Sequence, residues 1–205
     1  MFCKLIFAAM LAFSANSAAA ITAWDTITGE TVTGAAAPAV DTNYSHGLQF
    51  LAEHSGIVTS IDVFLGKTRD EVGTSFMRFG FFTNEASEPG ASIGDWVATS
   101  TDVYRYSVSE VTNLTGFGAV TLTAGTSYWL VAEGVSGVNG NWLTTGSTDG
   151  VRKFFYNGSW HSTNRGSLPP AARITVEPAV VPLPAGLPLL IGGLAALALV
   201  RRRRS

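Results

Sequence analysis

Cysteine is almost absent. Cys3 is the only one in 205 residues, so no disulfide can close within the chain and no thiol stands in its main body. Histidine is scarce as well. His46, His54 and His161 are far apart in sequence, whereas a metal centre needs three or four converging ligands, so all three are read as solvent-facing loop residues. There is no Gly-x-Ser-x-Gly elbow, no His-Glu-x-x-His pair and no aspartate-rich calcium loop. Charged residues make up only 14% of the chain. Between residues 21 and 177 no stretch repeats its apolar residues at a helical period. These absences set aside a disulfide scaffold, a helical bundle and the common motif-bearing hydrolases.

What is present is concentrated first at the two ends. Residues 1–20 read as a secretory signal peptide. Lys4 gives the basic start, Leu5 to Phe13 the short apolar run, and Ala18-Ala19-Ala20 the small-residue pattern for cleavage after Ala20. At the other end, residues 178–186 form a proline-rich linker containing Val181-Pro182-Leu183-Pro184-Ala185. An uncharged run follows, with residues 187–200 as the core of a single transmembrane helix. From Leu183 to Val200 a helix would measure ~27 Å, close to the ~30 Å of a bilayer core. Arg201, Arg202, Arg203 and Arg204 close the run as a basic cytoplasmic stop spanning residues 201–205.

The order of motif, apolar run and arginine cluster resembles the PEP-CTERM sorting tails, in the variant whose motif reads VPLPA. The resemblance implies an exported protein of a Gram-negative bacterium. It implies transient anchoring in the inner membrane, followed by cutting at Val181–Ala185 by an exosortase, a membrane-embedded cysteine protease. The chain would then reach the cell surface or the extracellular space. A plain single-pass anchor is the simpler alternative, but Pro182, Pro184 and Pro188 hold the motif extended and delay the helix, as an accessible protease site requires.

Residues 21–177 are expected to form one domain. It carries eight basic against fifteen acidic side chains, because Lys4 and the four terminal arginines lie outside it. A formal charge of −7 argues against nucleic acid and anionic lipid as partners. Period-two alternation predicts strands over 21–28, 46–52, 56–65, 75–83, 102–109, 118–123, 127–133, 142–145, 151–156, 160–162 and 172–176. In the clearest of them, Ile57, Thr59, Ile61, Val63 and Leu65 share a face. Asn84 to Gly94 and Asn139-Gly140-Asn141 read as turns, and Asn157-Gly158 as a hairpin turn. The fold class is all-β: an antiparallel β-sandwich or jelly roll, flanked by the signal peptide and the single transmembrane helix.

Five segments recur in a familiar order. They are Gly47-Leu48-Gln49-Phe50, Val58 to Val63, Phe81 to Asn84 with Pro89-Gly90, Val120 to Val131, and Trp142. Together they resemble the choice-of-anchor β-sandwich domains, closest to type R, over about residues 45 to 177. That resemblance implies a surface module and brings no catalytic residues with it.

The candidate chemistry within the domain is modest. Trp142, Tyr156 and Trp160 are candidate carbohydrate contacts, since an aromatic face suits the apolar face of a sugar ring. Asn141, Asn157 and His161 would supply hydrogen bonds. The competing reading puts Trp129 and Trp142 in the core. Asp62, Glu85, Asp95, Asp102 and Glu133 are the carboxylates from which a glycan hydrolase would draw its pair. Asp95 or Asp149 is the place for a weak calcium ion; no other cofactor and no resident metal is expected. The leading expectation is therefore a non-enzymatic surface or extracellular-matrix protein with an exosortase as partner. A carbohydrate-binding module for exopolysaccharide comes second, and a glycan hydrolase third.

Overall fold

The computed structural model describes residues 19–32, 39–68, 72–108, 110–137, 139–162 and 168–178. The expected sorting motif, transmembrane helix and arginine stop lie outside the described residues, as does the expected signal peptide except for Ala19 and Ala20. Among the described residues no helix is long and apolar enough to cross a membrane. Ala19–Ala179 forms one compact unit.

The chain is all-β. Its strands are β1 (Ile21–Asp25), β2 (Ala39–Val40), β3 (Ser45–Leu51), β4 (Gly56–Val63), β5 (Leu65–Lys67), β6 (Ser75–Glu85) and β7 (Glu88–Thr101). Then come β8 (Thr112–Thr115), β9 (Thr121–Leu122), β10 (Ser127–Gly137), β11 (Gly140–Trp142), β12 (Val151–Tyr156), β13 (Ser159–Ser162) and β14 (Ala172–Glu177). The six-stranded sheet runs β13-β12-β3-β10-β6-β7, and the five-stranded sheet runs β1-β14-β4-β8 with β9 also on β4. A small sheet, β2-β11-β5, completes the set. All strand pairs are antiparallel.

The two large sheets bury their facing sides against each other. Leu48 and Phe50 of β3, Met77, Phe79 and Phe81 of β6 and Leu130 of β10 meet Val58, Ile61 and Val63 of β4 and Ile174 and Val176 of β14 in one core. Burial of each such side chain contributes about 1.5–3 kcal/mol. The arrangement is that of an antiparallel β-sandwich. On the solvent side of the five-stranded sheet, Arg173 of β14 reaches both neighbours. It bonds Asp25 of β1 at 3.1 Å and Asp62 of β4 at 3.3 Å.

The structure corrects the sequence reading at five places. In β4 the inward residues are Val58, Ile61 and Val63, while Ile57 is 47% exposed. The register against β14 jumps between Thr175↔Ser60 and Val176↔Val58, leaving Thr59 as an extra residue. This bulge moves the alternation to the other face, and the Thr59 hydroxyl donates to the Thr175 carbonyl. Asn84 to Gly94 is not a loop. The chain turns at Ala86-Ser87, both at positive φ, and β7 already includes Pro89-Gly90, with a bulge against β6 just beyond them. Proline is tolerated there because β7 is an edge strand.

Residues 102–108 do not form a strand. Arg105–Ser107 is a 3-10 turn, and the strand lies further on, at β8. Strand structure in 118–123 is confined to Thr121–Leu122. Finally, Gly140 and Asn141 belong to β11 rather than to a turn, and residues 143–145 lie beyond the strand. A Cβ at Gly140 would overlap Ser75 and Met77, so glycine is what lets this strand lie against β6.

The Asn157-Gly158 hairpin forms as expected, with φ of 50° and 81°. The first and last strands of the sandwich also meet. Ile21 pairs with Val176, so residues before β1 and after β14 leave the five-stranded sheet at the same end.

Candidate functional site

Strand alternation gives the six-stranded sheet a second face, turned away from the core. On it β10 places Trp129, opposite Gln49 of β3 and Phe82 of β6. The next outward level holds Val131 between two glycines, Gly47 and Gly80. These glycines make room for aromatic rings. A Cβ at Gly47 would lie 3.0 Å from the Trp129 ring and 3.2 Å from that of Trp160, and one at Gly80 would lie 2.9 Å from Trp96.

An aromatic band therefore crosses the sheet from β13 to β7. Trp160 lies 5.4 Å from Phe155 and 6.4 Å from Trp129, and Phe82 meets Trp96 edge-on at 5.5 Å. Trp160, Phe155, Phe82 and Trp96 are half-buried, so each keeps part of its surface in solvent, whereas Trp129 is covered. Polar groups frame the band. Asn84 accepts from Trp129 Nε1 at 2.9 Å and from Gln49 Nε2 at 2.7 Å. Lys153 pairs with Glu88 at 2.9 Å, Arg78 pairs with Glu133 at 2.6 Å, and the Arg78 guanidinium lies 4.6 Å from the Trp96 ring centre.

The three aromatic residues singled out from sequence do not converge. Trp142 is fully buried, donates from Nε1 to the Ala171 carbonyl at 2.9 Å and meets Phe79 edge-on, so no sugar can reach it. Asn141 is buried beside it in β11. Trp160 is on the outer band. Tyr156 occupies the opposite face of the β12–β13 hairpin, stacked on Tyr44. Asn157 is exposed at the turn, and the His161 ring stacks on Phe154. Ala20 is exposed directly before β1. Ala18, Val181 to Ala185 and Arg201 to Arg204 lie outside the described residues. Sequence reasoning passed over Phe82, Trp96, Phe155 and Asn84. For Phe82 and Asn84 a signal was available, their alternation with Phe79 and Phe81 on β6, the strand that also carries Gly80.

A cleft of about 480 Å³ opens elsewhere, lined by Trp24, Asp25, Phe50, Glu53, Asp149 and Val151 among others. Its Asp25 is structural. Burial works to raise its pKa, but the Thr28 hydroxyl, the N–H groups of Ile27 and Thr28 and the Arg173 guanidinium outweigh that and hold it below the usual value. Asp62 is likewise bonded, to Arg173 and Asn113. Glu85 accepts from Thr83 and from the Ala91 N–H. Asp95 and Asp102 are exposed. Asp95 sits on β7 beside the Phe117 carbonyl and Asp149 at the cleft. Among the described residues no three His, Cys, Asp or Glu groups converge on a metal position.

His46 corrects another expectation. It is buried, not in a loop, and Nε2 meets the Ala39 carbonyl at 2.9 Å. Burial first, then the charge of Arg152, lower its pKa to about 3, against the opposing pull of that carbonyl. His54 and His161 are exposed as expected, but His161 lies in β13 rather than in a loop.

The fold and its outer face define an antiparallel β-sandwich with an aromatic band. Comparison with protein-family models, curated proteins and solved structures finds no match to this chain.

Proposed function

We propose that this chain is an exported, non-enzymatic protein of the bacterial surface or extracellular matrix, with a choice-of-anchor-like sandwich sorted through its VPLPA-type tail by an exosortase. The observation that carries the reading is the ordered tail: Val181–Ala185, the apolar run of residues 187–200 and Arg201–Arg204. The structure adds support in two ways. Residues 178–180 alone separate β14 from the motif in sequence, and Ile21, directly after Ala20, pairs with Val176 near the end of β14. A non-enzymatic role is supported by the carboxylates of Asp25, Asp62, Glu85, Glu88 and Glu133, which are bonded to neighbouring side chains. The intact mass of the chain isolated from its native cell envelope tests whether both ends have been removed.

A second reading, binding of exopolysaccharide, is favoured by the outer band. Trp160, Phe155 and Trp96 offer partly exposed ring surface beside the Lys153–Glu88 pair, a combination suited to stacking on sugar rings with hydrogen bonds at their edges. Titration of the full chain with the host's own polysaccharide should give binding that Trp160→Ala reduces at least tenfold while the melting temperature stays close to that of the parent. Equal binding by parent and variant contradicts it. A glycan hydrolase is the least supported reading, since it needs two free carboxylates ~5–9.5 Å apart.

A further inference from the structure

Tyr44 and Tyr156 stack with ring centres 4.5 Å apart and planes only 4° from parallel. They come from distant parts of the chain, and each is held by a tight turn. The Asp41 carboxylate accepts from the N–H groups of Asn43 at 2.7 Å and Tyr44 at 2.9 Å, and the Asp41 N–H donates to the Tyr44 carbonyl. Tyr156 ends β12 directly before the Asn157-Gly158 turn, and its carbonyl meets His161 Nε2 at 3.2 Å. The Tyr44 phenol is held above its ordinary pKa, first by its hydrogen bond with Tyr156 and then by desolvation. Tyr156 is 37% exposed, so the pair borders solvent.

We propose that Tyr44 and Tyr156 form a built site for oxidative coupling into an intramolecular dityrosine, a covalent staple between the Asp41–Tyr44 turn and the β12–β13 hairpin. The oxidant is hydrogen peroxide acting through a haem peroxidase. Each phenol gives up one hydrogen atom and becomes a phenoxyl radical. The unpaired electron is shared with the ring carbons beside the phenol oxygen, in lobes that point along the ring normal. Parallel stacking aims these lobes at each other, so a carbon–carbon bond forms between the rings. The hydrogens on the joined carbons then move to the oxygens and restore both aromatic rings. Two hydrogens are lost in all, and hydrogen peroxide takes them up as two molecules of water. The staple suits a chain whose single cysteine rules out an internal disulfide.

The chain carries its own control. Tyr104 and Tyr106 are only two residues apart and their ring centres lie 5.2 Å apart, but the planes meet at 78°, so their lobes do not face. Tyr128 is buried. Dilute full-length chain should be treated with peroxidase and hydrogen peroxide, digested and analysed by mass spectrometry. The expected product is one cross-linked peptide pair joining Tyr44 to Tyr156, lighter by two hydrogens, with dityrosine fluorescence in the monomer. Tyr44→Phe and Tyr156→Phe, checked for an unchanged melting curve, should each abolish it. Prior unfolding in urea should abolish the selectivity. Coupling of Tyr104 with Tyr106 to the same extent, cross-links only between molecules, or a product that survives in the Phe variants would overturn the proposal.

Discussion

Trp142→Ala is expected to destabilise the chain by about 3–5 kcal/mol, the range for emptying a large aromatic site in a packed core. Trp142 is completely enclosed, sits in β11 between β2 and β5, and packs edge-on against Phe79 at 5.2 Å. Its loss leaves a cavity that rigid strands close poorly. It also leaves the Ala171 carbonyl without the indole donor, a further penalty for a buried acceptor. Against a total stability of about 5–15 kcal/mol, such a loss removes a large share. Urea or thermal unfolding of the variant beside the parent measures it, with a melting point lower by roughly 10 °C. A change below about 1 kcal/mol would contradict the placement of Trp142 in the core.

Acid is expected to weaken the fold well before the carboxylates protonate, and His46 is the cause. In the folded chain its pKa is lowered to about 3, so it stays neutral, whereas in the unfolded chain it titrates near 6.5. Above pH 6.5 neither state holds the proton and the contribution is complete. Below that, the unfolded chain takes up a proton that the folded chain refuses, and stability falls by about 1.4 kcal/mol per pH unit. The loss reaches roughly 3 kcal/mol by pH 4 and levels off only where folded His46 itself protonates, near pH 3.

Asp25 works in a lower window. Its pKa is lowered, so its contribution is present above the ordinary 3.8 and is lost only as pH falls through the folded value. Unfolding free energies of the parent and of His46→Gln between pH 7 and pH 4 test the assignment. Glutamine offers an amide donor to the Ala39 carbonyl but no titration. The parent curve should fall and the variant curve should be nearly flat; parallel curves would contradict it.

Local signals carried much of the fold. Met77, Phe79 and Phe81 alternate in sequence and all face the core, and Asn157-Gly158 turns the hairpin as its residue types require. Features set by distant partners were not legible. The Thr59 bulge exists because β14, more than a hundred residues later, meets β4 with a slip. Gly140 looks like turn chemistry until β6 is placed beneath it. For Trp142 the competing reading, a core side chain, is the one the structure bears out. His46 was readable: it alternates with Leu48 and Phe50, which places it on the inward face. The outer band needs β3, β10 and β6 side by side before Gly47, Trp129 and Phe82 become neighbours, and no local pattern states that pairing.

The central claim is that residues 1–20 and the apolar tail are address labels, removed from a body that remains outside the cytoplasm. Its most direct measurement is the intact mass of the chain recovered from the envelope and medium of its native cells. The account predicts a chain beginning at Ile21 and ending within or beside Val181–Ala185, without the run of residues 187–200. A mature chain that still carries residues 187–205 contradicts sorting by an exosortase, and one that still carries residues 1–20 contradicts export itself.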